Sequence, residues 1–220
     1  YDPIKYVLNI GGKRIRPILM LLSHQLFSED IEKSLKAALG IEVFHNFTLL
    51  HDDIMDKAPL RRGLKTVHEK WDNNTAILSG DTMLVQAFHL ISQVENKNLR
   101  KVLEIFNKAS TEVCEGQQWD MDFEEREDVT LSEYLKMIEY KTSVLLATSL
   151  QIGGINAGAS TEQQNHLYEF GKNIGIAFQL KDDLLDVFGN PETFGKQVGG
   201  DIISNKKTFL YLKALQLANE

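Results

Sequence analysis

Apolar residues recur at helical rather than strand spacing through most of the chain. Residues 14–27 (RIRPILMLLSHQLF) open with a proline near a helix start and run apolar from there. Residues 31–56, 74–94, 98–119, 131–152 and 162–188 carry the same periodicity, and a last helix is expected from near Thr208. Breaks are expected at 28–30, 57–73, 95–97, 120–130, 153–161 and 189–207, the last opened by the stop signal Gly189-Asn190-Pro191. Gly40 is the point where the helix over 31–56 would ease. Alternating strand patterns are almost absent, and no linker or solenoid repeat is visible. A chain of 220 residues suits one domain over 1–220. The pattern predicts an all-α protein built as a large helix bundle.

Two segments are apolar around most of their circumference. One is 41–56, with Ile41, Val43, Phe44, Phe47, Leu49, Leu50, Ile54 and Met55; the other includes Ile174, Ile176, Phe178, Leu180, Leu184, Leu185 and Val187. Such helices belong inside a bundle, so their polar residues are expensive and need an explanation. The first holds HDDIMD. Asp52 and Asp56 are four apart and share a face, and His45 and Thr48 continue that line seven and four positions earlier. Asp53 is turned away by roughly 100°. The second holds KDDLLD, with Asp182 and Asp186 on one face and Gln179 three and seven positions before them. Carboxylates lined up in this way repel one another and call for a cation. Hard oxygen donors favour Mg²⁺, which binds through a few carboxylates plus substrate phosphates and water. The paired motifs therefore predict a diphosphate bridged by metal to both helices.

Charge sharpens the picture. Lys and Arg number 24 against 31 Asp and Glu, a net charge of -7, so nucleic acid is not expected as a partner. In an acidic chain, clustered cations mark an anion site. Arg61 and Arg62 follow Asp56 closely. In GGKRIRP, Gly11 and Gly12 let backbone approach a ligand, Lys13, Arg14 and Arg16 add charge, and a helix start adds its positive end. Lys141, Lys196 and Lys206 lie in the neighbourhood of the second motif. GxxxxGK[ST] is absent, so a nucleotide P-loop is not supported. The single cysteine, Cys114, reads as a small packing residue, and its solitude fits a reducing, cytoplasmic setting. No apolar run is long enough to span a bilayer, so an integral membrane protein is not expected. The chain starts at Tyr1 and stops inside a helical pattern, so further residues are expected at both ends.

From GGKRIRP through FHNFTLLHDDIMDKAPLRRG, LSGD, EYKTS and FQLKDDLLDVFGN to FGKQVGGDIISNKKT, the chain resembles the trans-isoprenyl diphosphate synthases, the head-to-tail prenyltransferases. The resemblance covers nearly the whole chain. It implies the isoprenoid synthase fold, an all-α bundle around a deep central cavity, and a homodimer. It implies Asp52, Asp56 and Asp182 as principal ligands of three Mg²⁺ ions, with Asp53, Asp183 and Asp186 as nearby ligands or holders of bound water. Arg61, Lys141 and Lys196 would grip the allylic diphosphate. Gly12, Lys13, Arg16, His45 and Arg62 would hold isopentenyl diphosphate, and Thr142, Gln179 and Lys206 would flank the reacting centre. Phe47 and Thr48 stand five and four positions before the first motif, where the family sets product length, with Phe44 one turn deeper. Phe47 lies about 7.5 Å along the helix axis from Asp52. An aromatic there points to geranylgeranyl diphosphate as product, with farnesyl diphosphate next and longer chains as alternatives. A terpene cyclase shares the first motif but does not need GGKxxRP or RRG. An inactive partner subunit is opposed by the intact acids of both motifs. A metal-dependent phosphohydrolase would need further histidines at metal spacing.

Overall fold

A computed structural model of the chain describes residues 1–189, 202 and 205–218. The helices are α1 (Asp2–Asn9), α2 (Ile15–Gln25), α3 (Glu32–Met55), α4 (Val67–Lys70), α5 (Asn73–Ile91), α6 (Asn96–Glu125) and α7 (Leu131–Ile138). A π-helical turn, Glu139–Ser143, leads into α8 (Val144–Asn156), followed by α9 (Thr161–Phe188) and α10 (Phe209–Ala218). Among the described residues the only strands are β1 (Leu60–Arg61) and β2 (Leu64–Lys65), an antiparallel pair with Arg61 opposite Leu64. Arg62 and Gly63 close that hairpin with φ of 53° and 77°. Two left-handed residues make the turn that matches strand twist. The chain is all-α, as its periodicity predicts.

Several boundaries differ from expectation for local reasons. The helix α1, with Ile4 and Val7 buried and Pro3 in its first turn, lies before the first segment the pattern picked out. Helix α6 runs on to Glu125, because WDMDFEE holds no breaker; the expected break at 120–130 begins only at Arg126. The next helix starts with a capping box, in which Thr130 accepts from the Glu133 N–H and the Glu133 side chain accepts from Thr130. Helix α8 continues to Asn156, past the expected stop at 153. Cys114 is exposed and is not a packing residue.

The chain divides into two compact units, Tyr1–Leu103 with Ser149–Gln164, and Glu104–Thr148 with Asn165–Glu220. In the first, α3 and α5 pack closely around Ile41, Phe44, Leu50, Met83 and Ile91, all fully buried. No residue from 41 to 54 is exposed, so the second half of α3 is interior, as its apolar circumference requires. Gly40 does not ease the helix, which is unbroken. A Cβ at Gly40 would stand 2.9 Å from Ile91 Cγ1 and 3.1 Å from the Ala87 carbonyl, so glycine there allows two helices to meet. A buried polar chain ties α2, α3 and α8: His24 Nδ1 pairs with Ser34 Oγ at 2.8 Å, and Asn156 Nδ2 donates to the same oxygen at 3.2 Å.

The second unit is built on Phe123, Val129, Tyr134, Met137, Ile138 and Leu212, with Trp119, Ile176, Leu180 and Phe209 packed against them. Helix α9 departs from its expected interior position. Ile174, Phe178 and Leu184 are exposed, whereas Asp183 and Asp186 are buried. The face turned inward mixes Asp183 and Asp186 with Ile176 and Leu180, while Ile174, Phe178 and Leu184 face outward.

Close approach of α2 and α8 depends on Gly153, because a Cβ there would run into the Met20 carbonyl and Ser23 Oγ. Gly153→Ala is expected to lower stability by about 1–3 kcal/mol, the usual range for overpacking against backbone. A denaturant midpoint equal to that of the unaltered chain would show that α2 and α8 can move apart freely.

Candidate active site

In the first unit the chemistry begins where a glycine loop meets a helix start. Gly11 and Gly12 have φ of 94° and 137°, and Arg14 at 50° is the residue before α2. Arg62 donates to the Gly11 carbonyl, and a Cβ on Gly12 would lie 2.7 Å from Arg62 Nη1. The loop is thus shaped to receive the hairpin arginine. Arg14 is tied down by Glu42 and by the Leu8 carbonyl, the latter at 2.6 Å. Glu42 also accepts from Asn46 at 2.8 Å.

Arg16 Nη1 donates to His45 Nε2 at 3.0 Å, which requires an imidazole with a lone pair on that nitrogen. Burial, then Arg16, Arg62, Arg61 and Arg14, hold the His45 pKa well below its ordinary value. Burial also brings the Arg16 guanidinium down to about 10, with Glu42 opposing. Arg16 Nε is buried and has no hydrogen-bond partner among the described residues. Arg62 is lowered by burial and then by Arg61 and Arg14. Lys13 is exposed beside this cluster. Positive charge gathered in this way favours an anion beside it.

The first acid motif splits into two roles. Asp53 is buried and takes Arg61 in a fork, with Nε at 2.8 and 2.9 Å and Nη2 at 2.8 Å. Burial nevertheless pushes its carboxyl above the usual range, against the pull of Arg61. Asp52 is half-buried and Asp56 exposed. On the same face Thr48 donates to the His45 carbonyl at 2.9 Å. Phe47 packs instead against Phe44 and edge-on to His51, with ring centroids 5.5 and 4.8 Å away.

The second unit repeats that division. Asp183 is buried and accepts from Tyr134 Oη, from Gln179 Nε2 at 3.1 Å and from the Phe209 N–H at 3.1 Å. Burial pushes its carboxyl up in spite of these donors. Asp182 is half-buried and Asp186 buried. Thr142 Oγ1 donates to Gln179 Oε1 at 3.3 Å, so the π-helical turn and α9 bring together two residues that the motifs nominated. Gly175 permits this contact, since a Cβ there would lie 2.5 Å from Ser143 Cα.

The profile of the polyprenyl synthetase family matches residues 1–220, all of the chain. The chain belongs to the polyprenyl synthetase family. Geranylgeranyl diphosphate synthase of Methanosarcina mazei is 45% identical over 218 residues, 98% of this chain and 67% of that protein. The short chain isoprenyl diphosphate synthase of Methanocaldococcus jannaschii is 45% identical over all of this chain and 67% of its own length. A crystal structure of a geranylgeranyl pyrophosphate synthase superposes with a TM-score of 0.96 at 53% identity, over all of this chain and 67% of that one. The chain therefore spans about two thirds of these relatives.

Among the described residues of this polyprenyl synthetase, no three His, Cys, Asp or Glu side chains converge on a metal-sized position. Mg²⁺ takes one or two carboxylates and completes its octahedron with phosphate and water. Half-buried Asp52 and Asp182 and exposed Asp56 have the donor chemistry and the access for it. Lys196 lies outside the described residues. The motifs did not flag Asp120, which accepts from Lys141 Nζ at 2.6 Å and Lys206 Nζ at 2.8 Å, both to Oδ2. Asp120 follows Gly116 by four, on one face of a helix, and a Cβ on Gly116 would lie 2.8 Å from Lys141 Cα, a closeness that only the structure shows. Burial would raise the Asp120 carboxyl, but Lys141 and Lys206 outweigh it and hold it below the usual range.

His45 gives this synthetase a pH dependence with a defined sign. A base whose folded pKa is depressed binds fewer protons folded than unfolded. Its contribution is therefore intact above the ordinary imidazole value of 6.5 and is lost as pH falls below it. His24, also lowered by burial, acts in the same direction. The denaturant midpoint is expected to hold from pH 8 to 7 and to fall below about 6.5, with a shallower fall in His45→Gln. Parallel profiles in the two proteins would contradict a buried neutral His45.

Proposed function

We propose that the chain is a Mg²⁺-dependent trans-prenyltransferase that condenses isopentenyl diphosphate with an allylic diphosphate, head to tail, and stops at geranylgeranyl diphosphate. The observation that carries this reading is the paired division within the acid motifs. Each has one aspartate bonded inside the protein and a more accessible one near it, with arginines gathered in the first unit and lysines in the second. A single catalytic domain over 1–220, a homodimer and a cytoplasmic setting belong to the same reading, by resemblance. Among the described residues, no helix is long and apolar enough to cross a membrane.

Lys13, Arg16, His45 and Arg62 would bind the diphosphate of isopentenyl diphosphate, with the buried Arg16 Nε as a donor still to be satisfied. Neutral His45 can donate from its other ring nitrogen. Arg61 spends Nε and Nη2 on Asp53 and has further N–H groups for a phosphate oxygen. Arg61, Lys141 and Lys196 would bind the allylic diphosphate, with Lys206 flanking the reacting centre and held beside Lys141 by Asp120. Asp52, Asp56 and Asp182, with Asp186 beside them, would hold Mg²⁺, three ions in all, which when bound neutralises charge on the leaving group. The allylic C–O bond breaks and its electron pair leaves with diphosphate. The alkene of isopentenyl diphosphate attacks the allylic cation, and a proton from the adjacent carbon passes to the released diphosphate. The oxygens of Thr142 and Gln179 would flank the cation. Apolar side chains such as Phe44 and Phe47 would exclude water that would quench it.

Incubation with Mg²⁺, isopentenyl diphosphate and radiolabelled allylic primers of increasing length tests the proposal. A C20 product is expected, and the absence of elongation from every primer would overturn it. Asp52→Ala and Asp182→Ala should each lower kcat/KM by at least about a hundredfold, the upper range seen when support to a metal site is removed. Phe47→Ala should yield longer products; an unchanged product would take Phe47 out of the chain-length ruler.

A further inference from the structure

Asp120 lies outside both acid motifs, yet it joins two lysines of the second unit. One oxygen, Oδ2, receives both Lys141, from the π-helical turn, and Lys206, from the segment before α10. Lys206 also pairs with Glu124 at 2.6 Å, one helical turn beyond Asp120. Asn205 Nδ2 donates to the Glu124 carbonyl at 2.7 Å and so fixes the same segment. The Asp120 side chain is nearly buried, at 11% exposure, while the lysine side chains keep 29% and 19%. A buried acid thus grips two ammonium groups that remain within reach of a solute. Two ammoniums sharing one oxygen stand within a few ångströms of each other, and without the shared charge they would repel and separate. Gly116, on the same face, lets the Lys141 backbone approach α6, so that reach and charge are set by one helix.

We propose that Asp120 is a positioning residue for substrate: it holds Lys141 and Lys206 together as a two-pronged cation for the diphosphate of the allylic substrate. This rests on the synthase reading above. Asp120 touches no reacting atom. A carboxylate that merely staples the fold would lower stability when replaced and leave substrate affinity alone. A positioning carboxylate alters affinity for one substrate and not the other.

The test compares Asp120→Asn, Asp120→Glu, Lys206→Gln and the double variant Asp120→Asn/Lys206→Gln, all folded by circular dichroism. Asp120→Asn should raise KM for the allylic diphosphate about tenfold or more, the scale of a charged hydrogen bond, with KM for isopentenyl diphosphate little changed. Binding of inorganic diphosphate with Mg²⁺, measured by calorimetry, should weaken in parallel. Asp120→Glu, which keeps the charge, should recover part of the loss. In the double variant Lys206→Gln should add little, because its prong is already displaced. Wild-type KM and diphosphate affinity in Asp120→Asn, or additive losses in the double variant, would overturn the role of Asp120 while leaving the synthase reading intact. An unaltered chain that neither binds diphosphate nor extends a primer would overturn both.

Discussion

The structure depends on one constraint: charge carried into the interior of a helix bundle must be matched there. Helix α3 has no exposed residue from 41 to 54, yet it brings Glu42, His45 and Asp53 with it. An isolated ionised group in such a place would be neutralised or would unfold its surroundings. Each is answered locally. Glu42 takes Arg14 and Asn46, Asp53 takes Arg61, and His45 stays neutral and accepts from Arg16. Among the described residues, Arg16 and Arg62 have no carboxylate paired with them in the same way. The Arg62 pKa is lowered by burial and by its neighbours Arg61 and Arg14.

The same constraint explains why each acid motif begins with two adjacent aspartates. Neighbours on a helix lie about 100° apart, so they cannot do the same work. Asp53 and Asp183 turn inward and become anchors, one for the hairpin that carries Arg61 and Arg62, the other for Tyr134 and the first amide of α10. Asp52 and Asp182 are half-buried. An inward carboxylate that fixes a neighbouring element makes the adjacent one more rigid, and on the proposed reading a rigid ligand would bind a metal–phosphate pair with less loss of entropy.

Much of this was legible in the residues. Helical periodicity gave the all-α class and most of the helices, because apolar spacing reflects burial directly. The spacing of Asp52, Asp56 and His45 gave a shared face on α3, and the family resemblance named Thr142 and Gln179, which do meet. What was hidden depends on contacts remote in sequence. The pairing of Asp53 with Arg61 needs the hairpin, whose turn residues Arg62 and Gly63 fall in a stretch that reads only as a break. The burial of Asp183 and Asp186 beside exposed Phe178 and Leu184 reverses what hydropathy alone implies for α9. Asp120 was hidden because charged residues near a helix end resemble a loop, although nothing in WDMDFEE stops a helix.

The lysines show how backbone and charge act together in the second unit. Lys141 and Thr142 sit in a π-helical turn, which widens the helix by one residue and re-aims the side chains within it. Such a turn is tolerated where its neighbours hold it on both sides. Gly116 on α6 and Gly175 on α9 do this by removing the side chains that would keep those helices away. Charge then finishes what shape began, since Asp120 draws Lys141 from the turn and Lys206 from the far end of the chain to one oxygen. The glycines decide where the backbone of the turn can lie, and the carboxylate decides where its ammonium points. Neither would suffice alone: without close approach Lys141 would not reach Asp120, and without the carboxylate two neighbouring ammoniums would not remain together.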